Sequence, residues 1–479
     1  SAVILPPIGK PDHRCVLANP VVRSDTKQTK SKTYCTRRFD EHSINRIGDE
    51  LRNVNWQIMY RTDDCQLQAD FFHSNLLRIF DSVTPEQSYI QKDGDKPWVT
   101  PNFKNIVADR NAAYRRGDVK LYHTLRNKAE RMRKQLHRRF YESRLDRLKN
   151  GNPSQRWKTL KQLASLNQKA SSADLCESLC YRGQLVDRDC LADTVNDMLI
   201  SVASDVVPLD CQKLDTIRQN LGTVPDEFIV SEFYVYVVMT RLKTNKSTGP
   251  DSIPPRVIKE LAAVLAQPLC ALINTSIRHG IVPVQWKVSR IIPIPKTIPP
   301  VNIESDLRPI AVTSTFAKIA EKCVNQFFND HFFSLQDDNQ FGSTVGRSTT
   351  LALLKLSHYL FTASDCSDNF IRVLFIDFTK AFDLVSHNIL LDKYEQYDFP
   401  PHVTIWSLDF LRNRLQYVSV GDGLSSCAFS NAGTPQGTLS GPNNFKLLIN
   451  DLCFQLQYAK YVDDTTVFSV SQLATDSAL

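Results

Sequence analysis

The chain has no apolar run long enough to cross a bilayer. Its longest nearly apolar stretch, Leu261 to Ile273, falls short of the ~20 residues a spanning helix needs. No charged-then-apolar leader opens the chain, which argues against secretion. The 12 cysteines lack the paired spacing of zinc sites or a disulfide framework. Cys176, Cys180 and Cys190 come closest, and no histidine completes them, so reduced intracellular thiols are expected. No internal repeat is present, which excludes solenoids and arrays.

What is there is a soluble globular composition, 42% apolar and 23% charged. At 479 residues the chain exceeds a single core, and two or three structural units are expected. It opens on Ser1 rather than Met, so a fragment of a longer protein is expected. The charge is uneven. Residues 104–161 hold 18 Lys and Arg against 5 Asp and Glu, an excess larger than the net +7 of the whole chain. So strong a local field suits a polyanion such as nucleic acid.

Residues 1–40 are polar, basic and turn-rich, with Pro6, Pro7, Pro11 and Pro20, and read as the frayed end of a preceding domain plus a linker. Residues 43–95 read as helices, Phe71, Phe72, Leu76, Leu77 and Phe80 forming an apolar face. A single long helix is expected over 103–149, where Leu121, Leu125, Ala129, Met132, Leu136 and Phe140 form one stripe. Arg131, Arg133, Lys134, Arg138 and Arg139 lie on its other faces. They form either a solvated surface or a track for phosphates. Residues 190–240 read as mostly helical, and from about 245 short proline-divided runs suit strands and turns. Helices are expected at 312–332, 349–361, 391–415 and 445–456, a buried strand at 373–377, a strand at 417–420, and a hairpin over 462–470.

Two acidic sites stand out. Phe375-Ile376-Asp377-Phe378 runs into Thr379-Lys380-Ala381-Phe382-Asp383. An acid closing a buried strand is costly unless paired or metal-bound. Tyr461-Val462-Asp463-Asp464 puts adjacent carboxylates at a tight turn, where a hard divalent cation would relieve their repulsion. Taken singly, each is more readily a capped acid or a solvated turn. Between them, Ala432 to Pro442 is a Gly/Pro loop whose glycines allow close backbone approach, and whose Gln436 offers amide donors and acceptors.

In that order, Phe-Ile-Asp-Phe-x-Lys-Ala-Phe-Asp, Gly-Thr-Pro-Gln-Gly (433–437) and Tyr-Val-Asp-Asp resemble the three central motifs of reverse transcriptases, in the form found in LINE-type (non-LTR, jockey-like) retrotransposons. The resemblance extends upstream through Lys246–Pro254, Ser305–Ile310, Gln340-Phe341-Gly342, Gly346–Thr349 and Lys96–Thr100, and covers about residues 90–470. It implies an RNA-directed DNA polymerase of the α+β class with a right-hand fold: fingers over 241–370 and an incomplete palm, a split βαβ sheet, over 371–479. A basic helical extension (96–240) and a linker with a helical segment (23–95) would precede it. The thumb is expected to be missing, since the chain ends 15 residues past Asp464.

Residue by residue, the resemblance implies that Asp377 and Asp463 bind two Mg²⁺ ions, with Asp464 in support. Two such ions roughly 3.5–4 Å apart neutralise charge on both the attacking and the leaving oxygen. Phe378 and Phe382 would line the nucleotide, Phe382 excluding a 2′-hydroxyl, while Gln436 and Gly437 border the nucleotide and template pocket. Arg308 would fork onto the triphosphate and Lys296 meet it as a point charge. The implied partners are an RNA template, a DNA primer or target and deoxynucleoside triphosphates, with no membrane, in the cytoplasm and nucleus. Leu5 to His13 resembles the last motif of the apurinic-type endonuclease such elements carry, with Asp12 and His13 as its remnant over residues 1–22 and Pro11 where serine is usual. Ser343 replaces a usual aromatic, and Asn443 and Asn444 replace usual leucines, so local packing should differ. The alternatives are an inactive relic of such an element, a nucleic-acid-binding protein using the basic helix alone, and a template-independent nucleotidyl transferase.

Overall fold

The computed structural model describes residues 2–5, 15–18, 31–92, 96, 98–150, 156, 159–160, 179–297, 299–365, 369–421 and 423–472. The chain forms two compact units, one from residues 1–38 and 84–169, the other from 39–83 and 170–479.

In the first unit, Ala2–Leu5 pairs antiparallel with Cys15–Ala18, and Ser31–Thr36 with Gln87–Lys92. The last of these is a strand where the pattern suggested helix. The expected single basic helix is two, Pro101–Arg115 and Val119–Asn150. Gly117 breaks it at φ 76°, a left-handed conformation that glycine adopts without strain. Thr100 caps the first helix, its hydroxyl accepting from the Phe103 amide at 3.3 Å, with Pro101 in the first turn. Trp98 packs edge-on against His137 at 5.7 Å, and Tyr114 against Tyr122 at 5.3 Å, so the helices fold back on each other.

The second unit holds the main core. Glu41–Arg52 opens with a capping box between Asp40 and Ser43 and packs with Cys65–Val83. Both lie on Ala262–His279, a helix where strands and turns were expected. Its apolar residues face neighbours on several sides, so the sequence shows no polar face to mark it as helical. Gly280 ends it at φ 59°, where a Cβ would lie 2.4 Å from Ile405 Cγ2. Thr315–Phe332 and Thr349–Ser364 form where expected, each capped by the preceding serine. The single helix expected over 391–415 is two, His387–Gln396 and Pro401–Leu411, parted by Asp398 at φ 51° and by Pro400.

Two sheets carry the candidate site. Val288–Pro295 pairs antiparallel with Leu307–Thr313 and parallel with Arg414–Val420, which also holds Gly423–Leu424 and Ala428–Ser430. The other sheet has three strands, with Asp464–Gln472 between Gln457–Tyr461 and Asn369–Ile376. Asn369–Ile376 is an edge strand and not the buried one expected: Phe375 is 78% exposed. An apolar run alone does not reveal whether anything covers it.

Beneath the first sheet, buried Asp409 accepts from Arg218 (3.0 Å), from Lys287 (2.7 Å) and from the Val282 amide (2.8 Å). Removing the carboxylate would leave Lys287 buried beside other cations. Asp409→Ala is therefore expected to cost roughly 3–5 kcal/mol in urea denaturation. A loss near zero would show that Lys287 reaches water.

Candidate active site

The ladder sets the acidic cluster. Ile376 pairs with Thr465 and Tyr461 with Asp464, so Asp377 leaves its strand next to the Val462–Asp463 turn. Burial first, then the neighbouring Asp464 and Asp377 carboxylates, push the Asp463 carboxyl above its usual range, and Arg308 opposes them. The three acids and one arginine predicted from sequence thus share one electrostatic site. Asp463 is half-buried, while Asp377, Asp464 and Arg308 are exposed.

Among the described residues, no group of three or more His, Cys, Asp and Glu side chains is gathered closely enough to hold a metal ion unaided. The three carboxylates could still hold a hard divalent cation such as Mg²⁺. That ion keeps several waters and takes one or two carboxylates plus substrate phosphates, so no all-protein cage is needed. Asp463, raised by burial and by its acidic neighbours, is a carboxylate that a divalent cation would relieve.

The Gly/Pro loop docks on the turn after Asp377. Thr434 N–H donates to the Phe382 carbonyl (2.7 Å), Gly433 N–H donates to that of Val385 (2.9 Å), and the His387 ring meets the Gly433 carbonyl at 2.8 Å. Gly433, at φ 73°, has room only for hydrogen, since a Cβ would stand 2.7 Å from the Asp383 carbonyl oxygen. The Gln436 carbonyl accepts from Ala311 N–H (2.7 Å), on the strand that carries Arg308. Gly437, at φ 108°, passes so close that a Cβ would lie 2.9 Å from the Ala311 oxygen. Phe382 and Phe378 are half-buried against Phe445, with ring centroids 5.3 and 5.7 Å away. Lys296 is exposed just past the end of Val288–Pro295.

Asp383 had no role assigned from sequence, yet it fixes Gln436, whose amide donates to its carboxylate at 3.2 Å. Burial raises the Asp383 carboxyl, while Gln436, Lys380 and Lys296 counter it. Asp383 and Gln436 line a cavity of about 60 Å³ with Arg414, Pro435 and Ala311. The signal available was an acid directly after the apolar Ala381-Phe382 pair.

The departures from the family pattern are accommodated by hydrogen bonds. Asn443 donates to Asn325 (3.0 Å), and Asn444 accepts from the Tyr394 hydroxyl (2.8 Å). Ser343 sits at φ 51°, and its carbonyl accepts from buried Lys446 (2.7 Å).

Of the basic residues in the other unit, Arg133 pairs with Glu130 (2.8 Å) and Arg138 with Glu142 (2.6 Å) along their own helix. Arg131, Lys134 and Arg139 are exposed on the same helix. Asp12 and His13 lie outside the described residues. Among the described residues, no helix is long and apolar enough to cross a membrane.

Comparison with known proteins points the same way as the geometry. Residues 294–479 match the family described as reverse transcriptase (RNA-dependent DNA polymerase). The chain is similar to the probable RNA-directed DNA polymerase from transposon BS of Drosophila melanogaster, with 27% identity over 50% of this chain and 27% of that protein. It is also similar to the RNA-directed DNA polymerase from mobile element jockey of the same fly, with 28% identity over 50% of this chain and 28% of that protein. The Pol polyprotein from the type-1 retrotransposable element R1 of Bradysia coprophila is 24% identical over 54% of this chain and 26% of its own length. The chain thus spans about a quarter of the length of these relatives.

The raised Asp463 carboxyl has a signed consequence. A carboxyl raised on folding favours the folded state at low pH, and that contribution is lost as pH climbs through its folded value. Asp463→Asn should therefore melt higher than the wild type at pH 7 in metal-free buffer, with the gap closing as pH falls through the carboxylate range. A gap that stays constant with pH would show that folding does not raise the Asp463 carboxyl.

Proposed function

We propose that this chain, whose residues 294–479 form a reverse transcriptase domain related to those of LINE-type retrotransposons, carries out RNA-directed DNA synthesis. The observation behind the reading is the convergence of Asp377, Asp463 and Asp464, with Arg308 in their field, at the end of one antiparallel ladder. Nucleotidyl transfer asks a protein for positioning and charge neutralisation more than for covalent chemistry.

The finer roles follow from the same residues. Asp377, Asp463 and Asp464 hold two Mg²⁺ ions, which when bound supply neutralisation of the attacking and leaving oxygens. Arg308 presents a planar fork to the triphosphate, and Lys296 adds a point charge at the entrance. Gln436, oriented by Asp383, and Gly437 border the nucleotide and template, with Phe378 beneath. Phe382, braced by Phe445, blocks a 2′-hydroxyl. In a right-hand arrangement the three-stranded sheet belongs to the palm, and the upstream motifs to the fingers. Arg131, Lys134 and Arg139, beside the paired Arg133 and Arg138, give nucleic-acid phosphates a sequence-independent track. The partners of this reading are an RNA template, a DNA primer and deoxynucleoside triphosphates.

Primer extension on an RNA template with Mg²⁺ tests it. Asp463→Ala should lower synthesis by roughly 10³-fold or more, the loss of several kcal/mol of charge stabilisation. Equal synthesis by wild type and variant would refute the assignment. Phe382→Val should raise ribonucleotide use relative to deoxynucleotides by about tenfold or more, read by competitive incorporation. Unchanged discrimination would leave Phe382 as a packing residue.

A further inference from the structure

Val462 occupies a conformation its side chain disfavours. It sits at φ 58° as the first of the two residues between Tyr461 and Asp464 in the catalytic hairpin. Glycine or asparagine is the usual occupant of such a position, and a β-branched residue there is an outlier that its surroundings must hold. The hairpin has no such occupant of its own, so the hold comes from elsewhere.

It comes from the segment 337–342. Gln340 is 2% exposed. Its side-chain oxygen accepts from Val462 N–H (2.9 Å) and from Gly342 N–H (2.9 Å), and its amide nitrogen donates to the Val462 carbonyl (3.3 Å). One side chain thus takes both backbone groups of the strained residue. The backbone joins in: Phe341 N–H donates to the Lys460 carbonyl and Lys460 N–H to that of Asn339, each at 2.8 Å. Gly342 lets the segment come this close, since a Cβ there would lie 2.4 Å from the Val462 nitrogen.

The clamp is itself anchored on both sides. Buried Lys460 donates to the carbonyls of Ile449 (2.9 Å) and Leu452 (3.0 Å) and pairs with Asp337 (2.7 Å). Arg347 donates to the carbonyls of Asp338 and Gln340, the latter at 3.1 Å, and pairs with the Asp338 carboxylate at 3.0 Å. Two sequence motifs with no assigned role, Gln340-Phe341-Gly342 and Gly346–Thr349, are thereby tied to the turn that carries Asp463.

We propose that Gln340 is a positioning residue: it locks Val462 in the left-handed conformation and so keeps the Asp463 carboxylate with Asp377 and Asp464. This rests on the polymerase reading for its meaning, and on the hydrogen bonds alone for its geometry.

The test uses Gln340→Leu, similar in volume and unable to hydrogen-bond, alone and combined with Val462→Gly, which accepts a positive φ without strain. The readouts are hydrogen exchange across residues 460–466, Mn²⁺ binding by electron paramagnetic resonance, and the Mg²⁺ dependence of primer extension. Gln340→Leu should speed exchange at the turn and weaken Mn²⁺ binding about tenfold or more, as loss of an outer partner of a ligand does. Adding Val462→Gly should recover much of the binding. Wild-type exchange and Mn²⁺ affinity in Gln340→Leu would overturn the proposal. So would an equal loss in the single and double variants, which would mean that packing, not the turn, had been damaged. If Asp463→Ala binds Mn²⁺ as the wild type does, the polymerase reading fails, and exchange at the turn still decides whether Gln340 holds it.

Discussion

Like charges held together are the constraint on which the site depends. Asp463 feels Asp464, its neighbour in the chain, and also Asp377, which a free chain would keep away. Eight ladder pairs between residues 369–376 and 464–472, with Ile376 opposite Thr465, overrule that separation. A slip of one residue would turn every side chain of the edge strand to the other face and carry Asp377 away from the turn. The register is therefore an electrostatic device as much as a structural one, and it gathers negative charge where a divalent cation could neutralise it.

Around this cluster the chain uses buried polar groups as fixtures. Glu321, fully buried, accepts from the Ser440 hydroxyl at 2.6 Å and pins the start of the helix after the Gly/Pro loop. Arg414, also buried, lies over the Phe410 ring and donates to the Phe410 carbonyl. Lys460 anchors the hairpin from inside. Buried groups of this kind are expensive unless fully partnered, and they tolerate few alternative arrangements. Together with Gly433 and Gly437, which admit only hydrogen at their close approaches, they bring three loops distant in sequence to one end of two sheets.

The second unit also takes in residues 39–83, whose helices share the core of residues 170–479 through contacts such as Phe72 with Phe316, 5.2 Å between ring centroids. Sequence patterning showed an amphipathic face there but not its partner, because periodicity reports that a face is apolar and not what meets it. For the same reason Ala262–His279 escaped recognition as a helix, and the edge strand at 369–376 passed for a buried one. Local punctuation was also misjudged: Gly117 splits the basic helix, and Asp398 with Pro400 splits the segment after His387, each through a conformation that a stripe count ignores.

The sequence by itself determined the chemistry: two acidic motifs, a Gly/Pro loop between them, a basic segment, and their order, which together are specific enough to mark a reverse transcriptase domain. Those signals are local, set by residue type and spacing. Tertiary structure alone decided that Asp463 feels Asp377 and Arg308 as well as its neighbour, that Asp383 orients Gln436, and that Gln340 clamps Val462. Each of these joins segments tens of residues apart through ladder register, buried hydrogen bonds or a backbone angle, and such couplings leave no trace in composition or periodicity.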